Sequence, residues 1–146
     1  MSQARSVTPE EAQELLQQGY VYVDVRSEPE FEAGHVPGAF NVPLLHRGPA
    51  GMTPNPEFLS VMQQAFAKDE KLVVGCKMGG RSKKAVEQLQ QAGYGELVEM
   101  SAGWDGSRDA FGRVTPGWSK QGLPVEPGNP AGQAYADVKQ RSPKPG

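Results

Sequence analysis

Short apolar runs alternate with segments of helical spacing along most of the chain, and this alternation restricts the possible folds more than any other feature. The apolar runs are residues 20–25, 39–42, 71–75 and 97–100, and the helical spacing covers residues 8–19, 58–66 and 82–92. The first run is β-branched and aromatic on both faces, which is typical of a strand covered on both sides in a parallel sheet. We therefore predict an α/β domain with a central, mostly parallel sheet of about five strands and helices on both faces.

The length of 146 residues corresponds to about one domain. We assign that domain to residues 1–125, and within it the Gly- and Pro-rich residues 47–56 are predicted to form a surface loop. The last 21 residues contain four prolines and three glycines with almost no apolar clustering. Residues 126–146 are therefore predicted to form a C-terminal tail, not a second domain.

Charge and cysteine content exclude several classes of protein. The net charge of −2 and the lack of a basic stripe argue against nucleic acid and an anionic membrane as partners. One cysteine forms no internal disulfide, and with two separated histidines it offers no ligand set for structural zinc. A free thiol favours a reducing compartment. Because no signal peptide or membrane-spanning segment is visible, we expect a soluble, cytoplasmic protein.

The single cysteine, Cys76, directly follows the predicted strand at residues 71–75 and precedes the helix predicted from Ser82. Ligands of parallel α/β sheets lie beyond the carboxyl ends of the strands, where such loops lead into helices. Two glycines in the loop permit a backbone whose N–H groups converge on one point. Lys77, Arg81 and the N-terminus of the helix each favour thiolate over thiol. The loop is therefore predicted to hold an anion.

The alternative is that Cys76 is a small core side chain, because free cysteine is among the most buried residue types. Moving the ionisation of a thiol into the neutral range requires about 2.7 kcal/mol. A helix N-terminus contributes up to ~2 kcal/mol in a partly buried site, and one nearby guanidinium supplies the remainder. The residues around Cys76 are sufficient for this, and we predict that Cys76 is reactive.

The spacing of the loop indicates which anion it holds. Four residues separate Cys76 from Arg81, whereas the phosphate-binding signature of protein tyrosine phosphatases has one residue more in that gap. The shorter loop is expected to fit a single outer sulfur on Cys76 better than a tetrahedral phosphate, because the phosphate has three oxygens that need hydrogen bonds.

Three stretches of the sequence resemble the rhodanese (thiosulfate sulfurtransferase) family, whose members carry sulfane sulfur as a cysteine persulfide. The stretch at the loop is Cys76-Lys77-Met78-Gly79-Gly80-Arg81-Ser82. The first signature of the family is matched by Asp24-Val25-Arg26, Glu30-Phe31, Gly34-His35 and Gly38-Ala39-Phe40-Asn41-Val42-Pro43. The closing segment is matched by Ala102-Gly103-Trp104 and Gly122-Leu123-Pro124-Val125. The resemblance covers residues 6–125 and is greatest to single-domain plant and bacterial members.

The resemblance implies a ping-pong transferase that needs no metal or organic cofactor. The Cys76 thiolate would take the outer sulfur of thiosulfate or a related donor and release sulfite. The persulfide would then pass its sulfur to a thiophilic acceptor such as cyanide or a thiol, with thioredoxin and glutathione as candidate acceptors. The substrate-binding residues implied by the resemblance are Lys77, Met78, Gly79, Gly80, Arg81 and Ser82.

Three polar residues of the first signature are interpreted as structural support. Asp24 and Arg26 are expected to form an ion pair at a strand end, and His35 is expected to be a hydrogen-bonded scaffold residue, because a thiolate nucleophile needs no base. Many family members have arginine where this chain has Lys77, which keeps the charge but loses the forked grip on an oxyanion. An insert at residues 105–117 lengthens the final loop and is predicted to form a lid or rim near the cysteine.

Two other functions would use the same loop. A phosphatase or arsenate-reducing enzyme would also need a thiolate, but the short gap and the lack of an obvious aspartic general acid beside the loop argue against it. A non-enzymatic persulfide carrier or docking module would keep the loop and lack fast turnover. The physiological donor and acceptor stay open at this point.

Overall fold

The computed structural model describes residues 5–49, 51–77, 80–108 and 110–141, and at its centre is a sheet of five parallel strands. The strands are β1 (Arg5–Ser6), β2 (Val21–Asp24), β3 (Phe40–Asn41), β4 (Leu45–Gly48), β5 (Gly51–Pro54), β6 (Leu72–Gly75), β7 (Leu97–Met100), β8 (Gly106–Arg108) and β9 (Val114–Pro116). The helices are α1 (Pro9–Gln17), α2 (Glu28–Ala33), α3 (Phe58–Ala65), α4 (Gly80–Gln91) and α5 (Tyr135–Val138), with a 3-10 turn at Trp118–Lys120. The strand order of the central sheet is β1-β7-β6-β2-β3, and each neighbouring pair is parallel, as predicted. No helix among the described residues is long and apolar enough to cross a membrane.

Helix α1 begins where the sequence predicts a helix, because the residues before it satisfy free N–H groups of its first turn. The Glu11 N–H donates to Thr8 Oγ1 at 3.1 Å, and the Thr8 N–H donates to Glu11 Oε1 at 2.9 Å. Pro9 occupies the first helical position, where no backbone donor is needed. These reciprocal bonds are local, and for that reason the sequence alone reveals this helix start.

The sheet separates two apolar cores, because alternate residues of each strand point to opposite faces. Tyr22, Val73 and Val98 pack on one face with residues of α1 and α2. Val23 and Val74 pack on the other face with residues of α3, α4 and α5. The predicted coverage of the sheet by helices on both faces is therefore confirmed, and it explains why the central strands are apolar without alternation.

Residues 47–56 are predicted to be a surface loop, and that prediction is wrong in secondary structure. Residues 47–48 and 51–54 belong to an antiparallel hairpin, in which β4 and β5 place Leu45 opposite Pro54 and Arg47 opposite Met52. All of β5 is exposed, so no alternation of apolar and polar residues marks the strand. The segment does lie at the surface of the protein.

The C-terminal segment is predicted to be a tail, and the structure shows residues 126–141 lying against the domain. Tyr135 and Val138 are buried in the core on the side of α3 and α4. Asn55 Nδ2 donates a hydrogen bond to Tyr135 Oη at 2.9 Å. Two apolar side chains on a one-turn helix are too few to be read from a pattern, so the sequence does not reveal this packing. The rest of the predicted tail, residues 142–146, lies outside the described residues.

Candidate active site

The carboxyl ends of β2, β6 and β7 lie side by side, and Cys76 follows directly after the middle strand. The register pairs Gly75 with Asp24 on one side and with Met100 on the other. Gly75 has no room for a side chain, because an added Cβ would overlap Tyr22 Oη. The loop that begins at Cys76 therefore leaves the sheet between two other strand ends, at the edge where parallel α/β sheets bind ligands.

Cys76 lines a pocket of about 380 Å³, although only 2% of its surface is exposed. The other described residues that line this pocket are Leu44, Leu45, Lys77, Gly80, Arg81 and Lys84. The wall therefore combines two apolar side chains with three cationic ones. Such a pocket shields the thiol from bulk water and favours a small anionic molecule beside it.

Arg81 is held by an ion pair that sequence reasoning did not identify. Its Nη1 donates to Glu30 Oε1 at 2.7 Å and its Nη2 donates to Glu30 Oε2 at 3.0 Å, so both bonds of the guanidinium fork are used. Glu30 Oε1 also accepts from the Ser27 backbone N–H at 3.1 Å and from Ser27 Oγ at 2.8 Å. The pair ties the N-terminus of α4 to α2.

This ion pair predicts that stability depends on pH in the acid range. Burial raises the pKa of Glu30, but the bonds from Arg81 and Ser27 outweigh burial and lower that pKa from 4.5 to about 2. A carboxyl group with a depressed pKa in the folded state stabilises the protein above its unfolded pKa and loses that contribution as the pH falls through the folded value. In urea unfolding, Glu30→Gln should therefore be less stable than the wild type at about pH 6, and the difference should shrink between about pH 4.5 and about pH 2.

Glu32→Gln is the matched control, since Glu32 is an exposed carboxylate on the same helix. Its free energy of unfolding should stay within about 0.5 kcal/mol of the wild type across that range. A difference between Glu30→Gln and wild type that does not change with pH would contradict the prediction.

Lys77 and Lys84 supply positive charge at the pocket, and neither forms a short ion pair with another described residue. Lys77 Nζ lies 3.7 Å from Asp105 Oδ2, and both side chains are well exposed, so this contact is weak. Lys84 lies on the exposed face of α4 and still lines the pocket. Because Arg81 is paired with Glu30, these two lysines are the main unneutralised positive charge among the described residues that line the pocket.

Ser82 and Glu99 form a hydrogen-bonded chain behind the cysteine. The Cys76 thiol lies 3.4 Å from Ser82 Oγ, and Ser82 Oγ donates to Glu99 Oε2 at 2.7 Å. Ser82 is fully buried at the start of α4, and Glu99 is half-buried on β7. Burial raises the pKa of Glu99, while the bond from Ser82 and the charge of Lys83 oppose the increase. The chain of bonds thus links the sulfur to α4 through Ser82 and to β7 through Glu99.

Asp24 and Arg26 are buried and paired with each other at the end of β2. Arg26 Nη2 donates to Asp24 Oδ2 at 2.7 Å and to Gly34 O at 2.7 Å. The guanidinium carbon lies 4.8 Å from the centre of the Trp104 ring, a cation–π distance. Neither residue is among those that line the cysteine pocket. The pair connects the loop before α2 to the segment that follows β7.

His35 is buried, and its ring packs parallel to that of Phe31 at a centroid distance of 3.7 Å. Its Nδ1 lies 2.8 Å from Phe31 O, and its Nε2 lies 3.1 Å from Glu126 Oε1. Backbone bonds between His35 and Glu126 run in both directions, at 2.8 and 2.9 Å. His35 therefore links α2 to the C-terminal segment.

Residues 103–105 pack directly on the backbone of the cysteine loop. The Trp104 N–H donates to Cys76 O at 2.7 Å, and the Asp105 N–H donates to Lys77 O at 2.9 Å. A trans peptide directs its N–H away from its C=O, so the Lys77 N–H points away from residues 103–105. The insert predicted at residues 105–117 thus starts beside the loop, and it continues as the antiparallel hairpin of β8 and β9.

The middle of the loop, at Met78 and Gly79, lies outside the described residues, so the structure leaves their predicted substrate-binding role untested. Among the described residues, no group of three or more His, Cys, Asp or Glu side chains has the arrangement of a metal site.

Three contributors to the site were missed by the sequence analysis. Glu30 and Glu99 reach Arg81 and Ser82 from other elements, across gaps of 51 and 17 residues. Glu30 carried a signal, because it lies in the first turn of a helix that leaves the same sheet edge as the cysteine loop. Glu99 also carried one, as the only charged residue in an otherwise apolar strand. No feature of the sequence marks Leu44 and Leu45 as part of the pocket wall.

Comparisons with known proteins agree with the resemblance seen in the sequence. Residues 8–110 match the family described as the rhodanese-like domain. The chain is 38% identical over 121 residues to thiosulfate sulfurtransferase 16, chloroplastic, of Arabidopsis thaliana, which covers 83% of this chain and 92% of that protein. It is also 38% identical over 121 residues to the senescence-associated protein DIN1 of Raphanus sativus, covering 83% of this chain and 60% of that protein. The crystal structure of Rv0390 from M. tuberculosis has a TM-score of 0.69 and 29% identity, and the match covers 87% of this chain and all of that one.

Proposed function

Because the chain belongs to the rhodanese-like domain family, we propose that it is a sulfurtransferase that moves sulfane sulfur from thiosulfate, or a related donor, to a thiophilic acceptor through a persulfide on Cys76. Family membership supports sulfur transfer in general, and a relative at 38% identity is named as a thiosulfate sulfurtransferase. The observation that carries the proposal is the thiol of Cys76, the single cysteine of the chain, in a pocket lined by Lys77, Arg81 and Lys84.

The first half-reaction loads the cysteine. The Cys76 thiolate attacks the outer sulfur of thiosulfate, so that a new S–S bond forms while the bond between the two donor sulfurs breaks. The electron pair of the broken bond leaves with sulfite. Cys76 then carries a persulfide whose terminal sulfur is negatively charged.

The second half-reaction unloads the cysteine. An acceptor such as cyanide, glutathione or reduced thioredoxin attacks the terminal sulfur of the persulfide, and the electron pair of the S–S bond returns to Cys76 as thiolate. The acceptor leaves as thiocyanate or as a persulfide. No electron carrier or metal is needed, because each half-reaction exchanges one sulfur bond for another.

Each loop residue has a proposed role in this scheme. Backbone N–H groups from Lys77 to Ser82, including those of Met78, Gly79 and Gly80, stabilise the persulfide anion near the helix N-terminus. Arg81 holds the loop in shape through Glu30, and Lys77 and Lys84 attract the anionic donor. Asp24, Arg26 and His35 support the loop from outside the pocket.

Intact-mass spectrometry tests the proposal. Incubation with thiosulfate, followed by removal of the small molecules, should add about 32 Da, one sulfur atom per chain. Addition of cyanide or glutathione should remove the added mass. Protein first alkylated with iodoacetamide should gain no sulfur, since Cys76 is its only thiol.

The outcomes of this experiment separate the possible functions. Failure to gain sulfur from any of a panel of sulfane donors would contradict the proposal. Gain of sulfur without release to any acceptor would identify a persulfide carrier instead of an enzyme.

A further inference from the structure

We infer that Glu99 acts on Cys76 through the hydroxyl group of Ser82, and that its carboxylate opposes ionisation of the unloaded cysteine. Glu99 is thus a positioning residue, which touches neither donor nor acceptor. The inference deepens the proposed function and rests on Cys76 as the sulfur carrier.

The geometry shows where the hydroxyl proton goes. A serine hydroxyl has one proton to donate and two lone pairs that accept. Ser82 Oγ donates to Glu99 Oε2 at 2.7 Å, the ordinary length of an O–H···O bond. A lone pair of Ser82 Oγ accepts from the Cys76 thiol, whose sulfur lies 3.4 Å away.

This arrangement favours thiol over thiolate for two reasons. First, because the Ser82 hydroxyl donates its proton to Glu99, Ser82 Oγ presents a lone pair to the sulfur. A lone pair attracts the proton of a thiol and repels the negative charge of a thiolate. In addition, the two bonds in series put the carboxylate charge within about 6 Å of the sulfur, a distance at which a like charge disfavours ionisation. The cations and the helix N-terminus of the loop favour thiolate, and the carboxylate of Glu99 opposes that effect.

The loaded cysteine is affected less. The persulfide puts its negative charge on the terminal sulfur, about 2 Å from Sγ, so the charge is no longer on the atom that Ser82 contacts. Glu99 thus lowers the reactivity of the unloaded cysteine, which is the form that meets oxidants and alkylating agents between turnovers.

Other charged and titratable groups also face this chain. They are Lys83 and Glu87 of α4 at Glu99, and Tyr22 of β2 and Arg81 of α4 at Cys76, with Lys77 and Lys84 on the pocket wall. All of them are retained in the variants below, so a change in the pH profile reports the carboxylate of Glu99 and its bond to Ser82.

The test is the pH dependence of the alkylation rate of Cys76 by iodoacetamide, which reports the thiolate fraction and requires no sulfur transfer. In Glu99→Gln the amide can donate to Ser82 Oγ, which frees the hydroxyl proton for the sulfur. The midpoint of the profile should fall by about one pH unit, and alkylation below the midpoint should become about tenfold faster. Glu96→Gln is the matched control, because it removes an exposed carboxylate from the residue just before the same strand and should leave the midpoint unchanged.

Two further variants test the route through Ser82. Glu99→Gln should shift the midpoint less in a Ser82→Ala background than in the wild type. Glu99→Asp keeps the charge but withdraws it from Ser82, so it should also lower the midpoint, and it serves alone if Glu99→Gln does not fold. An unchanged or higher midpoint in Glu99→Gln or Glu99→Asp would overturn the inference. Because sulfur loading is measured separately by mass, such a result would leave the proposed function standing.

Discussion

Replacing Cys76 by serine should reduce sulfur transfer from thiosulfate to cyanide to the rate of the uncatalysed reaction. The serine hydroxyl has nearly the same size, but it is not ionised near neutral pH and forms no persulfide, whereas a thiolate is both the nucleophile and the sulfur carrier. The measurement is thiocyanate formation in a steady-state assay, together with the intact mass after exposure to thiosulfate.

A loss of folding has to be separated from a loss of chemistry, because Cys76 is 2% exposed and belongs to the core cluster beneath α4. Ala65→Ser is the matched control, since it buries a hydroxyl in the same cluster and lies in α3, away from the residues that line the pocket. It should lose about 1–3 kcal/mol of stability and keep its turnover. Turnover that persists in folded Cys76→Ser would mean that Cys76 is a core side chain without a chemical role.

Replacing Gly103 by alanine should displace the cysteine loop and cause the second-largest loss. Gly103 has φ of +68°, and an added Cβ would lie 2.6 Å from both Cys76 O and Lys77 O. These are rigid backbone atoms, and the adjacent bonds from Trp104 and Asp105 to the same two carbonyls would have to lengthen. We expect a loss of about 3 kcal/mol or more of stability. We also expect kcat/KM for thiosulfate to fall about 100-fold, because displacement of a catalytic group by about 1 Å has that effect.

Gly122→Ala separates the backbone strain from the collision. Gly122 has nearly the same φ, +70°, but an added Cβ there meets no heavy atom within 4 Å. This variant should lose only ~1 kcal/mol and retain full activity. The prediction fails if, in urea unfolding and steady-state kinetics, Gly103→Ala is no more impaired than Gly122→Ala.

The strands β2, β3, β6 and β7 and the helices α1, α3 and α4 were predictable from the sequence, and the short hairpins were not. The central strands are covered on both faces, so their apolar runs are continuous and easily recognised. The strands β5 and β9 are fully exposed and contribute nothing to the core, so no apolar pattern marks them. The two-residue strand β1 is too short for any periodicity.

In the candidate site, too, one part was predictable from the sequence and another was not. The cysteine loop is contiguous in sequence, and its charges and glycines lie within seven residues of one another, so its position at the sheet edge followed from the strand before it and the helix after it. Its partners come from elsewhere. Glu30 joins Arg81 from α2, Glu99 joins Ser82 from β7, and residues 103–105 bond to the loop backbone from beyond that strand.

The sequence by itself therefore determined the parallel sheet, the covering helices and the location of a cysteine loop, because hydrophobic spacing, capping and turn chemistry act between residues close in the chain. Only the tertiary structure decided which carboxylate neutralises Arg81, which one takes the hydroxyl proton of Ser82, and that the C-terminal segment contributes Tyr135 and Val138 to the core. Those contacts depend on chain folding across tens of residues, and the type of an isolated charged or aromatic residue does not specify its distant partner.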